Sequence, residues 1–544
     1  MGTPTEPSAS WEALKSHSTE VSKISLRDHF AQDPNRANRF SIEVGDLWID
    51  YSKQPITTTT IDLLIELAAE REVSDFIQQM AAGEKVNETE NRPALHTALR
   101  ATGETTINIA GTNIVPIVQK NLEQMTALAN KIRTGKQPTS NNSSIRSVVS
   151  LGVGGSYLGP AMAIEALADY ADPNIDLRFV SNLDRAELTD TLKDLDPLQT
   201  LIVIISKSFT TSETLIAAES AKAWLTNKIS ETDLGLHLAA VTSVPERAIS
   251  AGIDPELVFY LPEWVGGRFS LPSAVGLPLM ISIGPDAFIQ LLTGMRKIDE
   301  HIANTSEEIC GPIILGLIDV WLRSFLGSNS LAVVPYSSRM DLFPKFLQQL
   351  MMESLGKRID VNGNQLKIPT GGVLWGSTGT NAQHTFFQFL HQGTEITPCD
   401  MIGFARTKHD PENTHQDALI ANLLAQSSAL AFGRIESEID KTHSELKAHK
   451  ETPGNRPSNV ILAPELSPEI LGQLVALYEY RTITAGKIWG INPFDQWGVE
   501  LGKELASQIN TEITSSEAMN FDNYDGSTEN LIRHYKKLRN QEKN

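Results

Sequence analysis

The chain has 544 residues, 41% of them hydrophobic and 21% charged, an ordinary globular composition with length enough for two or more cores. Its 46 Lys and Arg against 66 Asp and Glu leave a net charge of -20, the wrong sign for tracking a nucleic-acid backbone or an anionic membrane, so an anionic ligand has to be captured locally. The only cysteines, Cys310 and Cys399, stand far apart, which excludes a disulfide framework and a CxxC pair and suits a reducing cytosol.

The opening stretch MGTPTEPSASWEALKSHSTE has no apolar core and carries three glutamates, against a secretory or organelle-targeting leader. The longest apolar run, Leu271 to Ile283, is too short to span a bilayer and contains prolines, so a soluble protein is expected. The first ~120 residues mix amphipathic helical stretches, such as Thr60 to Arg71, with an extended segment at Leu47 to Tyr51, and read as a wrapping arm. From Ile145 the pattern becomes short β-branched runs alternating with helical ones: Val148 to Leu151, Leu177 to Ser181, Leu201 to Ile205, Leu238 to Thr242 and Leu257 to Leu261. That alternation predicts a parallel sheet with helices on both faces. A second set, Leu331 to Pro335, Met401 to Phe404 and Val460 to Ala463, predicts a second α/β unit. The Pro- and Asn-rich stretch Lys450 to Ser458 reads as a surface loop, and Ser467 with Pro468 as the cap and first-turn proline of a helix.

Two loops have phosphate chemistry. GVGGSYLGP, Gly152 to Pro160, follows an apolar strand and precedes a helix; its glycines let backbone amides approach an anion. It is neither a dinucleotide fingerprint, because Tyr157 takes the third glycine position, nor a Walker loop, because Pro160 and Ala161 follow Gly159. A plain tight turn is the alternative. SKSFTTSET, Ser206 to Thr214, has six hydroxylic residues of nine beside Lys207, a good cradle for a dianion, and Thr210 with Glu213 has capping-box spacing.

Four further segments carry ionisable groups. GGRFSLPSAVGLP, Gly266 to Pro278, sets Arg268 after two flexible residues, where a guanidinium can face a developing oxyanion, or simply flank a surface turn. FPKFLQQLMMESLGK, Phe343 to Lys357, reads as a helix with Phe343, Phe346, Leu347 and Leu350 on one face. Glu353 falls along that face in the last turn, where scarce solvent and the macrodipole both favour taking up a proton. An i to i+4 pair with Lys357 is the plainer reading. In GTNAQHTFFQFLHQGTE, Gly379 to Glu395, His384 falls near a helix start on the face of Phe387 and His391, suited to proton exchange or to core packing. In FDQWGVELGKELA, Phe494 to Ala506, Gln496 and Lys503 share a face if the helix is continuous, and an exposed Glu500 to Lys503 pair is the alternative. None of the 12 histidines forms an HxH or HxxxH pair, so no metal site is predicted.

Together these segments, with GDLWIDYSK (Gly45 to Lys53) and ENRPALHTALR (Glu90 to Arg100), resemble the phosphoglucose (glucose-6-phosphate) isomerase family through most of the chain. The resemblance implies an α/β fold of two sugar-isomerase (SIS) domains, each a mostly parallel sheet sandwiched between helices, with helical N- and C-terminal arms. The implied boundaries are 1–119 for an N-terminal arm packing on the larger domain, 120–280 for the first domain with the phosphate loops, 281–510 for the second with the catalytic Glu and His, and 511–544 for a C-terminal arm.

It implies a cytoplasmic homodimer with shared active sites that interconverts glucose 6-phosphate and fructose 6-phosphate without cofactor, metal, nucleic acid or membrane. By position, Ser156, Ser206, Lys207, Ser208 and Thr211 would hold the phosphate, Arg268 and Gln349 would line the reacting end, and Gly155 and Gly267 would also bind substrate. Glu353 would be the base, His384 from the partner subunit and Lys503 would assist ring opening, and Gln496 would touch substrate. Leu355, Ala382 and Ser208 depart from residues common in the family, Asn, Gly and Thr, without replacing a catalytic group. A sugar-phosphate-sensing regulator, or a mannose-phosphate isomerase, is the competing expectation.

Overall fold

Two sheets organise the main body. The structure, a computed structural model, describes residues 8–434, 438, 446–515 and 524–541. The first sheet has five strands, all parallel, in the spatial order Asp176–Val180, Ser147–Leu151, Thr200–Ile205, Leu238–Thr242, Val258–Tyr260. Its central strands are buried along their whole length, which is why they appear in the sequence as short, largely apolar runs without hydrophobic-polar alternation. In chain order the strands run 2-1-3-4-5, so the direction of progression reverses between Ser147–Leu151 and Thr200–Ile205. Ligands of open α/β sheets bind beyond the strand C-termini at such a reversal.

The second sheet has six strands in the order Ser41–Val44, Leu47–Lys53, Ser458–Glu465, Cys399–Arg406, Ser330–Pro335, Val373–Gly376. Its last four are parallel, and the first two form an antiparallel hairpin added to the edge of Ser458–Glu465. The N-terminal stretch is thus not only a wrapping arm but part of this sheet. The edge strands Ser41–Val44 and Val373–Gly376 carry no clear strand pattern in the sequence.

Pro468–Ile488 is the spine of the body, a helix buried on nearly every side. Ser467 caps it, accepting from Ile470 N at 3.2 Å, and Pro468 occupies the first turn, as the sequence predicts. It carries Arg481, which donates to both oxygens of Asp319 at 2.6 Å and to Asp400 at 2.5 Å. Asp400 also accepts from Tyr478 and Asn459, each at 2.8 Å, and Asn459 accepts from Gln54 at 2.9 Å. This chain of hydrogen bonds, charge-assisted at Arg481, ties two strands of the second sheet, and the residue that follows a third, to the helix Gly311–Val320 and the spine.

The stretch Lys450 to Ser458 departs from its surface reading at its end. Arg456 is buried and its guanidinium donates to the carbonyls of Glu395 at 3.0 Å and Gly393 at 2.6 Å, because the loop feeds directly into an interior strand. Leu271 to Ile283 turns and then forms the helix Leu277–Ile283, wholly buried, and among the described residues no helix is long and apolar enough to cross a membrane.

Residues from Asp495 onward form a second compact unit. It consists of the short turn Trp497–Val499 and the helices Glu500–Thr514 and Gly526–Gln541, with Lys536 Nζ donating to Ser515 O at 3.3 Å.

Candidate active site

Both phosphate-type loops sit at the point where the first sheet reverses. Residues 152–156 leave Ser147–Leu151 through the tight turn Gly154–Ser156 and enter the helix Leu158–Ala166. Residues 206–211 leave the neighbouring strand and enter Ser212–Leu225. Two main-chain features make the first loop possible. Gly154 takes a left-handed φ of +57°, and a side chain on Gly155 would collide with the Gly267 carbonyl and lie 2.9 Å from Arg268 N. The first loop therefore rests directly on the segment that carries Arg268.

In the second loop Ser206 Oγ donates to Thr211 Oγ1 at 3.1 Å, and the Ser208 and Thr210 hydroxyls are 2.6 Å apart. The capping box expected from Thr210 and Glu213 does not form. The helix begins at Ser212 with Thr211 as its cap residue, and no side chain bonds the first-turn amides. The N-terminal positive end of that helix is left available to an anion. Lys207 reaches across to the segment that precedes Arg268, donating to the carbonyls of Glu263 and Val265, both at 2.8 Å. Burial, reinforced by Arg92, brings its ammonium down to about 8 against the opposing pull of Glu90 and Glu263.

Arg268 is buried, not a surface residue, in the turn Gly267–Phe269. Its Nε donates to Ser354 Oγ and its Nη2 to Pro493 O, each at 2.6 Å. Its Nη1 lies 3.8 Å from Glu353 Oε2. A buried guanidinium has to be paired, and here a partly exposed carboxylate and two fixed acceptors share that task.

The segment holding Glu353 is helical but not uniformly α-helical. Phe343–Leu347 is an α-turn, and Gln348–Glu353 widens into a π-helix. The 3.6-residue arithmetic that aligned Glu353 with Phe346 and Leu350 does not hold through a π turn, a feature frequent at functional sites. Leu350 is fully buried, while the Glu353 side chain remains 22% exposed, enough to reach a ligand. Lys357 closes the segment by donating to the carbonyls of Glu353, Ser354 and Asn492, each at 3.0 Å, so it serves as a C-terminal cap.

Gln349 sits one turn before Glu353. Its Nε2 lies 3.2 Å from where a Cβ on Gly154 would be, and its buried Oε1 has no hydrogen-bond partner. The structure thus brings Gly155, Gly267, Arg268, Gln349 and Glu353 together beside the loop holding Ser156. It also reveals Ser354, which sequence reasoning passes over. Only its place next to Glu353 hinted at a role.

Other expectations resolve differently. His384 is exposed and follows the end of the helix Gly379–Gln383, in a turn before Phe387–Gln392, so it does not share a continuous helical face with Phe387 and His391. His391 Nε2 is bonded to Gln426 Oε1 at 2.9 Å. Gln496 precedes the turn Trp497–Val499, and the helix starts only at Glu500, so Gln496 and Lys503 lie on no common helix. Lys503 pairs with Glu500 at 2.8 Å, on an exposed face. Leu355 and Ala382 are buried packing residues, and Ser208 is exposed. Among the described residues no three His, Cys, Asp or Glu side chains gather as a metal site would require.

The family model of phosphoglucose isomerase matches residues 50–532. The glucose-6-phosphate isomerase of Frankia casuarinae is 46% identical over 532 residues, 96% of each chain. That of Gloeobacter violaceus is 42% identical over 542 residues, covering 99% of this chain and 98% of its own. A crystal structure of a glucose-6-phosphate isomerase from Chlamydia trachomatis superposes with a TM-score of 0.85 at 32% identity, covering 98% of this chain and 99% of that one. This chain belongs to the phosphoglucose isomerase family.

Proposed function

We propose that the chain interconverts glucose 6-phosphate and fructose 6-phosphate by moving one proton between C2 and C1, with Glu353 as the base. The observation that carries this reading is the buried Arg268 guanidinium 3.8 Å from the Glu353 carboxylate, beside the loops at the reversal of the first sheet. Abstraction of the C2 proton leaves an enediolate whose negative charge needs a fixed cation that does not itself accept the proton, and a guanidinium meets that need. Protonated Glu353 then returns its proton to C1. His384 and Lys503 assist opening of the sugar ring, and Gln349 and Gln496 contact the sugar. Gly155 and Gly267 contact the substrate, and the phosphate is held by Ser156, Ser206, Lys207, Ser208 and Thr211. Anchoring at that end orients a flexible open chain, which is itself a large part of the acceleration.

The same reading makes the two sheets the cores of SIS domains at 120–280 and 281–510, with an N-terminal arm at 1–119 and a C-terminal arm at 511–544. It also makes the protein a cytoplasmic homodimer. The exposure of His384 supports its being offered to the neighbouring subunit.

The test is incubation of purified protein with fructose 6-phosphate in the presence of a chelator, measuring glucose 6-phosphate. Product should accumulate. No product, or product only after a divalent ion is restored, would overturn the mechanism.

A further inference from the structure

The buried His96 takes no part in this chemistry. His96, in the turn His96–Arg100, is 1% exposed, and its ring stacks on Phe269 with centroids 4.6 Å apart and planes at 28°. The Arg268 guanidinium rests over the same Phe269 ring, 5.6 Å from its centroid, and Phe494 lies against that ring at 5.8 Å. Main chain joins the two segments as well, Leu95 N donating to Trp264 O at 3.1 Å.

Behind the imidazole, Glu479 Oε2 is 3.8 Å from His96 Nε2, too far for a hydrogen bond, and that nitrogen has no partner. Glu479 is held instead by Arg100 Nη1 at 2.8 Å, and Arg100 grips both oxygens of Asp299 at 2.6 Å. Burial, with Arg100 adding to it, holds the imidazole well below its ordinary range, so the ring is uncharged. A buried, uncharged ring with an unbonded nitrogen is fitted for packing rather than for proton transfer.

We propose that His96 is a positioning residue for the isomerisation: its ring buttresses Phe269 and so holds the Arg268 guanidinium at the angle from which it faces Glu353. The inference rests on the reading of Arg268 as the group that stabilises developing charge. Ser354 Oγ and Pro493 O fix the guanidinium at its edges, and Phe269 supports its face. With the His96 ring gone, Phe269 gains room to tilt and the guanidinium follows. A misplacement of ~1 Å at a reacting group costs on the order of 10²-fold in rate.

The test is steady-state kinetics and thermal melting of full-length variants with fructose 6-phosphate. His96→Ala should lower kcat by about 10- to 100-fold with KM within about threefold. His96→Phe keeps a flat ring while removing both ring nitrogens, of which Nε2 bonds nothing, so it should restore kcat to within about threefold of wild type. In an Arg268→Ala background His96→Ala should cost no further kcat, since the two act as one unit.

An unchanged kcat in His96→Ala, a His96→Phe enzyme as slow as His96→Ala, or losses that multiply in the double variant would each overturn the proposal. If His96→Ala does not fold, His96→Leu, which fills space without a flat ring, is judged by the same criteria. Full kcat in Arg268→Ala would instead defeat the reading of the active site itself.

Discussion

Gly155 is the point where two catalytic loops meet, so a single methyl group there tests whether the site depends on their contact. In Gly155→Ala the new Cβ would overlap the Gly267 carbonyl and lie 2.9 Å from Arg268 N. Ordinary contact needs about 3.5–4.0 Å and the carbonyl overlap is the deeper of the two, so the backbone at 267–268 has to retreat by more than about 1 Å. Both neighbours are main-chain atoms, which cannot swing aside as a flexible side chain would. The overpacking should cost about 1–3 kcal/mol of stability. The displacement carries Arg268 away from Glu353, which should lower kcat by ~10²-fold, well beyond any rise in KM.

The assay is steady-state turnover of fructose 6-phosphate alongside a thermal melt. Gly103→Ala, where nothing lies within 4 Å of the added Cβ, is the control. A Gly155→Ala enzyme with kcat within about threefold of wild type would refute the coupling between the loops, whatever its melting temperature.

Glu353→Gln should lower kcat by ~10²- to 10⁴-fold while calorimetry still detects binding of the sugar phosphate, because the base is lost and the phosphate cradle is not; near-normal turnover would remove Glu353 from the mechanism. Burial brings the Lys207 ammonium down to about 8, so its positive charge is present below that pH and lost above it. The kcat/KM profile should therefore fall as pH rises through about 8, and Lys207→Arg should abolish the fall; a profile flat to pH 9 would contradict a role for that charge. Arg481→Ala would leave Asp319 and Asp400 buried without their cation and should destabilise the protein by about 3–5 kcal/mol in urea melts. A loss under about 1 kcal/mol would show that the network tolerates an empty centre.

Much of this molecule is local and therefore legible along the chain. Leu238–Thr242 coincides with its run in the sequence, and Ser147–Leu151 differs by one residue, because a strand buried on both faces is built mostly of apolar residues. Ser467 and Pro468 likewise announce their helix through capping chemistry. The edge strands Ser41–Val44 and Val373–Gly376 escape notice because each is only four residues long, and glycines directly precede the second. The two loops of phosphate character are also plain, since glycines and hydroxyls beside an apolar strand form a contiguous pattern.

What only the tertiary structure decides is how distant segments meet. Arg268 and Ser354 are 86 positions apart, and nothing near either predicts their 2.6 Å bond or the burial of the guanidinium. The π turn at Gln348–Glu353 has no sequence pattern of its own, because a widened turn is chosen by what its side chains meet across the site. His384 reads as helical from spacing, yet the chain turns there. The sequence by itself determined which groups are available: a carboxylate, a guanidinium and two anion-type loops. Tertiary structure set their distances, because the order of the strands, and not their composition, brings the ends of two loops and one helix to the same place.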